Sequence, residues 1–207
     1  MADTTPTKSN LINAQTSLEL SQKAFELLDK KRNVLIREMM NLIGKARRIQ
    51  DKIEITFNEA YKALEVANIT MGISTVEDIA LSIPEETEVG ILLRSVMGVE
   101  IPRVRYKKND LQPQYSFYRT NNAMDMALAQ FKEVKYMIFE MAEMENSIYK
   151  LAMEIKKTQK RTNALQNIQI PRYKEIVKTI QEALEEKERE DFFRMKVVKK
   201  KGRNKKS

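Results

Sequence analysis

The sequence predicts a mainly α protein: a long antiparallel two-helix coiled coil with a small α/β cap that contains a β-hairpin. Three observations predict it. Only 5 Gly and 5 Pro occur in 207 residues while 32% are charged, a composition that leaves few turns for an all-β fold. Apolar residues recur at alternating steps of three and four over two long stretches, one at each end of the chain. Between them, residues 72–121 hold three of the prolines (Pro84, Pro102, Pro113) and three of the glycines (Gly72, Gly90, Gly98).

The first helix is expected over residues 1–71. Its seam reads Leu18, Ser21, Phe25, Leu28, Arg32, Leu35, Met39, Leu42, Ala46, Ile49 and Ile53, and only Ser21 and Arg32 are polar. After Ile53 the register slips by one residue and resumes at Phe57, Ala60, Leu64, Ala67 and Met71, a stutter that locally unwinds a supercoil. Thr5 before Pro6 offers an N-cap with proline at the first helical position. A helix from Pro6 to Thr70 is roughly 95 Å long.

The second helix is expected over residues 122–193. Asn122 with Asp125 resembles a capping box. The seam runs through Met124, Ala127, Phe131, Val134, Ile138, Met141, Glu145, Ile148, Ala152 and Ile155, with Glu145 as a buried polar residue that specifies register. It turns polar at Gln159 and Thr162. Pro171 lies inside the helical run and cannot donate to Asn167, which predicts a kink. A one-sided stripe of this length must be covered, and a single connecting segment returns the chain, so the helices pair antiparallel.

In the cap, Ser74 with Glu77 predicts a short helix over 75–81. Val89 to Tyr106 is rich in Val, Ile and Leu and predicts two strands, with the turn at Arg94-Ser95 or at Gly98. Tyr115 and Phe117 give a third extended piece.

Charge and chemistry narrow the function. Residues 194–207 carry eight basic groups and no acid; the chain before them has 29 of each sign. The net charge of +8 therefore belongs to a basic tail, expected to be disordered past about Lys200 when free. Cysteine and histidine are absent, which removes thiolate and imidazole metal sites and Cys- or His-based catalysis. Gly44-Lys45 lacks the upstream glycine and the following Ser or Thr of a phosphate loop. Glu85-Glu86 and Glu185-Glu186 read as solvated faces. No catalytic residue, cofactor or metal is expected. The opening MADTTPTKSN lacks an apolar signal core and no stretch is long enough to span a bilayer, so the chain is expected to be soluble and intracellular.

Arg103, Arg105, Tyr106, Lys107, Lys108, Tyr115, Tyr118 and Arg119 interleave bases with aromatics. That pattern suits single-stranded nucleic acid or a protein interface. A coiled-coil nucleic-acid-binding protein anchored by its basic tail is the alternative function, opposed by a charge-balanced body that offers no basic stripe.

Several motifs resemble the D subunit, or central shaft, of V-type and A-type rotary ATPases. Lys160-Arg161, Asn163-Ala164-Leu165 and Ile170-Pro171-Arg172 follow that family's order, as do Glu188-Arg189-Glu190, Phe192-Phe193-Arg194 and the Lys-rich end. So do Pro6-Thr7, Leu27-Leu28, Lys31-Arg32, Leu35-Ile36-Arg37-Glu38, Met97-Gly98-Val99 and Ile101-Pro102. Ala24, Lys8, Gln159, Thr162 and Gln166 depart from the pattern. The resemblance implies a non-catalytic rotor shaft, peripheral to the membrane through its complex, that couples ATP hydrolysis or synthesis to ion translocation by rotation. It implies as partners the A and B subunits of the catalytic ring, the F subunit and the socket subunit on the membrane rotor, with no nucleic acid and no direct membrane insertion. Arg161, Arg172, Arg189, Phe192, Phe193, Arg194 and Lys196 are then expected to meet the A/B ring. Arg94, Met97, Val99, Ile101 and Tyr106 are expected to meet the F or the socket subunit. It also places the hairpin turn at Arg94-Ser95.

Overall fold

The computed structural model describes residues 5–83, 89–106, 115, 116, 118 and 120–204, the last three as backbone. Helix α1 spans Lys8–Met71 and α2 spans Ile73–Ser82. Strands β1 (Val89–Val96) and β2 (Val99–Tyr106) follow. Helix α3 spans Asn122–Ala164, a π-helical turn covers Leu165–Gln169, and α4 spans Ile170–Asn204. Two compact units result, Met1–Asn33 with Lys156–Ser207, and Val34–Ile155. In each unit a stretch of α1 pairs with a later helix running the other way.

In the unit formed by Val34–Ile155, α1 and α3 are joined at one end by apolar packing of Ala67, Val76 and Met124, with Leu64 and Met71 beside them. The Asn121 amide donates to the Thr70 hydroxyl at 2.7 Å, which fastens the start of α3 to the end of α1. Phe57, Tyr61 and Phe131 make edge-to-face contacts further along, with centroids 4.7–6.5 Å apart. At the other end Leu35 and Leu151 are fully buried and pack with Val99 and Ile101 of the hairpin. The hairpin therefore packs on α1 and α3 of this unit near its tip, through Val96, Val99 and Ile101.

The seam of α1 follows the expected spacing: Ser21, Leu35, Ala46, Ala60 and Ala67 are buried. The seam of α3 follows it at Met124, Ala127 and Val134, which are buried, and departs from it further on. Glu145 and Ala152 are exposed, while Ser147 and Leu151 are buried. A step of three rather than four after Met141 puts Met144 on the inner face. A straight helix drifts against a strict heptad, and the docked hairpin gives α3 a second surface to cover. Glu145 therefore specifies no register.

Three helix starts sit differently from expectation, each because another side chain or a glycine corner meets the free amides. Thr7 caps α1, its hydroxyl accepting from the Asn10 amide at 3.2 Å, and Thr5 instead receives the Asn10 side chain through its carbonyl. Asn121 caps α3 by accepting from the Ala123 and Met124 amides at 3.1 and 3.3 Å, so Asn122 is already helical. Helix α2 begins at Ile73 after Gly72, whose φ of 87° makes the sharp corner, and no side chain caps it; Ser74 lies within the helix.

The hairpin turn is Met97-Gly98, not Arg94-Ser95. Val96 pairs with Val99, and φ is positive at both turn residues, 51° and 78°. A two-residue turn that matches strand twist needs this left-handed pair, and glycine at position 98 supplies half of it without strain. Met97 adopts it at a cost of about 1 kcal/mol. Met97→Asn is therefore expected to raise hairpin stability by roughly 0.5–1 kcal/mol, read as a higher thermal midpoint of the purified chain. Tyr115 is a bend rather than a strand, and Phe117 lies outside the described residues.

In the other unit buried polar groups, Ser21, Thr158 and Thr162, accompany buried Ala14 and Ile180. Arg32 donates to Gln159 Oε1 at 2.8 Å and to Asp29 Oδ1 at 2.6 Å, and Gln159 donates to Asn163 at 2.7 Å. Buried Ser21 and Thr162 donate to the carbonyls of Ser17 and Thr158 in their own helices, so neither hydroxyl is left unpaired. Pro171 is accommodated by the π turn that precedes it, in which the Ile170 amide bonds five residues back to Leu165. The donor that proline lacks falls where the hydrogen-bond ladder already changes pitch, so the irregularity expected at Pro171 takes this form. Helix α4 continues to Asn204, through residues expected to be disordered.

Candidate partner-binding surfaces

The end of α4 is the first candidate. Lys8 Nζ meets Glu188 Oε1 at 3.3 Å, where the first turn of α1 lies beside α4. Beyond Glu188 every residue to Lys201 is exposed. Phe192, Phe193, Met195, Val197 and Val198 are each 53–69% exposed, an apolar load that a solvated helix does not carry without use. Arg189 pairs with Glu185 and Glu186 at 3.9 and 3.3 Å, and Arg194 with Glu190 and Asp191 at 3.5 and 4.0 Å. These are intrahelical surface pairs, each worth a few tenths of a kcal/mol. They hold the arginines in place yet exchange readily for an acidic partner. Lys196 is exposed on the same end. Arg161 and Arg172 are exposed too, but flank the π turn, with Arg172 roughly 25 Å back along the axis from Arg189. The structure thus brings Arg189, Phe192, Phe193, Arg194 and Lys196 onto one helix end, and leaves Arg161 and Arg172 apart from it.

The hairpin is the second candidate, and its two strands differ. On β2, Val99 and Ile101 are buried in the chain's own core, so their side chains hold the hairpin rather than face a partner. Tyr106 stacks on Tyr136 with centroids 5.1 Å apart and donates to Glu140 at 3.0 Å. Burial, with Glu140 as acceptor, pushes its phenol pKa upward. Val104 N–H donates to Glu143 Oε2 at 2.7 Å, and the Ser147 hydroxyl donates to the Pro102 carbonyl at 3.5 Å. Glu143 and Ser147 are one turn apart, so α3 offers an acceptor and a donor at the spacing β2 needs. A groove of about 510 Å³ remains beside them, lined by Arg103, Arg105, Glu140, Glu143 and Met144. Strand β1 carries Ile91, Leu92 and Leu93 at 69, 45 and 62% exposure, and Arg94 and Met97 are exposed beside them.

Glu140 and Glu143 were not legible as functional because they flank the apolar seam rather than occupy it. The signal that finds them is an accounting one: a strand lying on a helix needs acceptors for its outward amides. Glu143→Ala removes the acceptor of Val104 N–H. Its expected result is a loss of about 1 kcal/mol and faster amide exchange across β2 than in the native chain, with exchange in α1 unchanged.

Of the interleaved basic and aromatic set, Lys107, Lys108 and Arg119 lie outside the described residues. Tyr115 donates to Asp125, and burial together with that bond pushes its pKa up to about 12. Among the described residues no group of Asp and Glu is arranged to hold a metal, and no helix is long and apolar enough to cross a membrane.

The model of the ATP synthase D-subunit family matches residues 10–200. The D subunit of the V-type ATP synthase of Thermotoga neapolitana is 43% identical over 95% of this chain and 97% of its own length. The D subunits of the A-type ATP synthases of Methanosphaera stadtmanae and Thermococcus kodakarensis are 38% and 36% identical, each over 94% of this chain and 92% of their own. The matched span runs from the first turn of α1 to the exposed end of α4 and takes in both candidate surfaces: the chain belongs to the ATP synthase D-subunit family.

Proposed function

We propose that this protein is the central-stalk subunit of a V/A-type ATPase, a rotor shaft without catalytic residues of its own. The observation that carries the reading is family membership over nearly the full chain, together with a fold whose two unsatisfied surfaces lie at different elements, the end of α4 and the hairpin. The end of α4, with Arg189, Phe192, Phe193, Arg194 and Lys196, inserts into the ring of A and B subunits, and Arg161 and Arg172 meet the ring lower down. The hairpin, through Arg94, Met97 and the exposed side of Tyr106, faces the F or the socket subunit, with Val99 and Ile101 seating it. Contacts of a rotating part must be individually weak, and exposed charge pairs suit that. A helix with different residues on each side presents unlike surfaces to equivalent catalytic sites and biases each toward a different nucleotide state. The chain stays on the cytoplasmic side, peripheral to the membrane.

The test is purification of the tagged full chain from its own cells in moderate salt, with mass spectrometry of what accompanies it. Stoichiometric A, B and F subunits are expected. Recovery of nucleic acid alone would replace this reading with the alternative.

A further inference from the structure

Among the described residues nothing pairs with the outer edge of strand β1, whose chemistry differs from that of β2. Because Val104 N–H donates to Glu143 of α3, Val104 belongs to a pair whose backbone groups point away from the partner strand. The register has no bulge: Ile91 faces Val104, Leu93 faces Pro102, and Val89 and Ser95 face Tyr106 and Glu100. Alternation along an antiparallel ladder then turns the amides and carbonyls of Val89, Ile91, Leu93 and Ser95 outward from β1. On β2 three of the equivalent groups are accounted for, since Pro102 has no amide, its carbonyl accepts from Ser147, and Val104 N–H is held by Glu143. On β1, among the described residues, no third strand pairs.

Proteins blunt a free edge with proline, lysine, a bulge or a cover. VGILLRSV has no proline, lysine or bulge and a single charge, Arg94. Its apolar residues are exposed on both faces of the strand, which a surface meant to stay in water does not show. Arg103 and Arg105 of β2 line a groove with Glu140 and Glu143 of α3, which leaves Arg94 as the positive charge on β1 itself.

We infer that β1 is a strand-addition site: an extended segment of another subunit of the assembly, apolar at alternate positions and flanked by acidic residues, pairs with its outer edge and completes a three-stranded sheet. Only an extended backbone matches a row of outward amides and carbonyls, and an acidic flank on it matches Arg94. The inference rests on the hairpin being a subunit interface, and adds what kind of element meets it.

Leu93→Pro tests it. Proline at 93 deletes an outward amide opposite Pro102, which already tolerates the same loss, so the β1–β2 ladder is kept. Leu93→Ala trims the side chain and keeps the amide. With the complex purified from cells, the amides of Ile91 and Leu93 are expected to exchange at least ~10-fold more slowly than in the isolated full chain. Retention of Leu93→Pro in the complex is expected to fall ~10-fold or more below that of Leu93→Ala, while β2 exchange stays native and shows the hairpin still docked. Equal retention of the two variants, or unprotected β1 amides in an intact complex, overturns strand addition and leaves the central-stalk reading in place. A chain that enters no ATPase complex overturns both. Self-association of the isolated chain that Leu93→Pro abolishes, with assembly unaffected, overturns the inference by assigning the edge to a second copy.

Discussion

Leu151→Ala is expected to lower the stability of the chain by about 2–5 kcal/mol, a fall in thermal midpoint of roughly 10 °C for a protein of this size. Leu151 is fully buried, and it packs with Leu35 of α1 and with Val99 and Ile101 of β2. One side chain thus joins three elements, and the cavity left by its loss opens between two helices and the hairpin. Collapse of the site would need the hairpin to move, and Glu143 and Ser147 hold its β2 edge. Differential scanning calorimetry of the purified variant, with amide exchange across residues 89–106, reads both the midpoint and the release of the hairpin. Ala152→Ser, one position along, is the control: it lies on the exposed face of α3 and is expected to change stability by less than about 0.5 kcal/mol.

Removal of the end of α4 is expected to have the largest functional effect. A chain ending at Glu188 keeps the Lys8–Glu188 contact, the polar seam of Arg32 and Gln159, and the whole hairpin unit. It loses Arg189, Phe192, Phe193, Arg194 and Lys196 together. Aromatic and arginine residues dominate interface energies, so affinity for the A/B ring is expected to fall ~30-fold or more. ATP-driven ion pumping by the reconstituted complex is expected to fall by at least ~10-fold, with the circular dichroism of the truncated chain still strongly helical. Pumping at the native rate would show that the exposed phenylalanines have no role in coupling.

The parts of this fold that repetition encodes were legible in the sequence; those decided by one local contact were not. The α1 seam from Ser21 to Ala67 follows from spacing alone, because a long helix repeats its message many times. The α3 seam failed at Glu145, where one step of three replaced one of four and the docked hairpin changed which face had to be dry. Caps failed by one or two residues for a related reason. Thr5, Thr7 and Asn10 all have the chemistry of a capping cluster, and only the final geometry shows that the Thr7 hydroxyl takes the Asn10 amide. At the turn, Gly98 carried the physical signal, a residue free to adopt positive φ, and the placement at Arg94-Ser95 set that signal aside. Of the candidate surfaces, the end of α4 was visible as basic and aromatic sequence. The hairpin was visible as a strand pair but not as a docked one: Val99 and Ile101 look like surface contacts until Leu35 and Leu151 cover them.

A rotor shaft must turn within the complex that holds it. An immobilised complex holding the chain with a probe attached to the hairpin, watched singly under saturating ATP, tests it most directly. Unidirectional rotation of the probe, halted when ATP is withdrawn, is the predicted result. A probe that stays fixed while the same complex hydrolyses ATP at its normal rate would contradict the account.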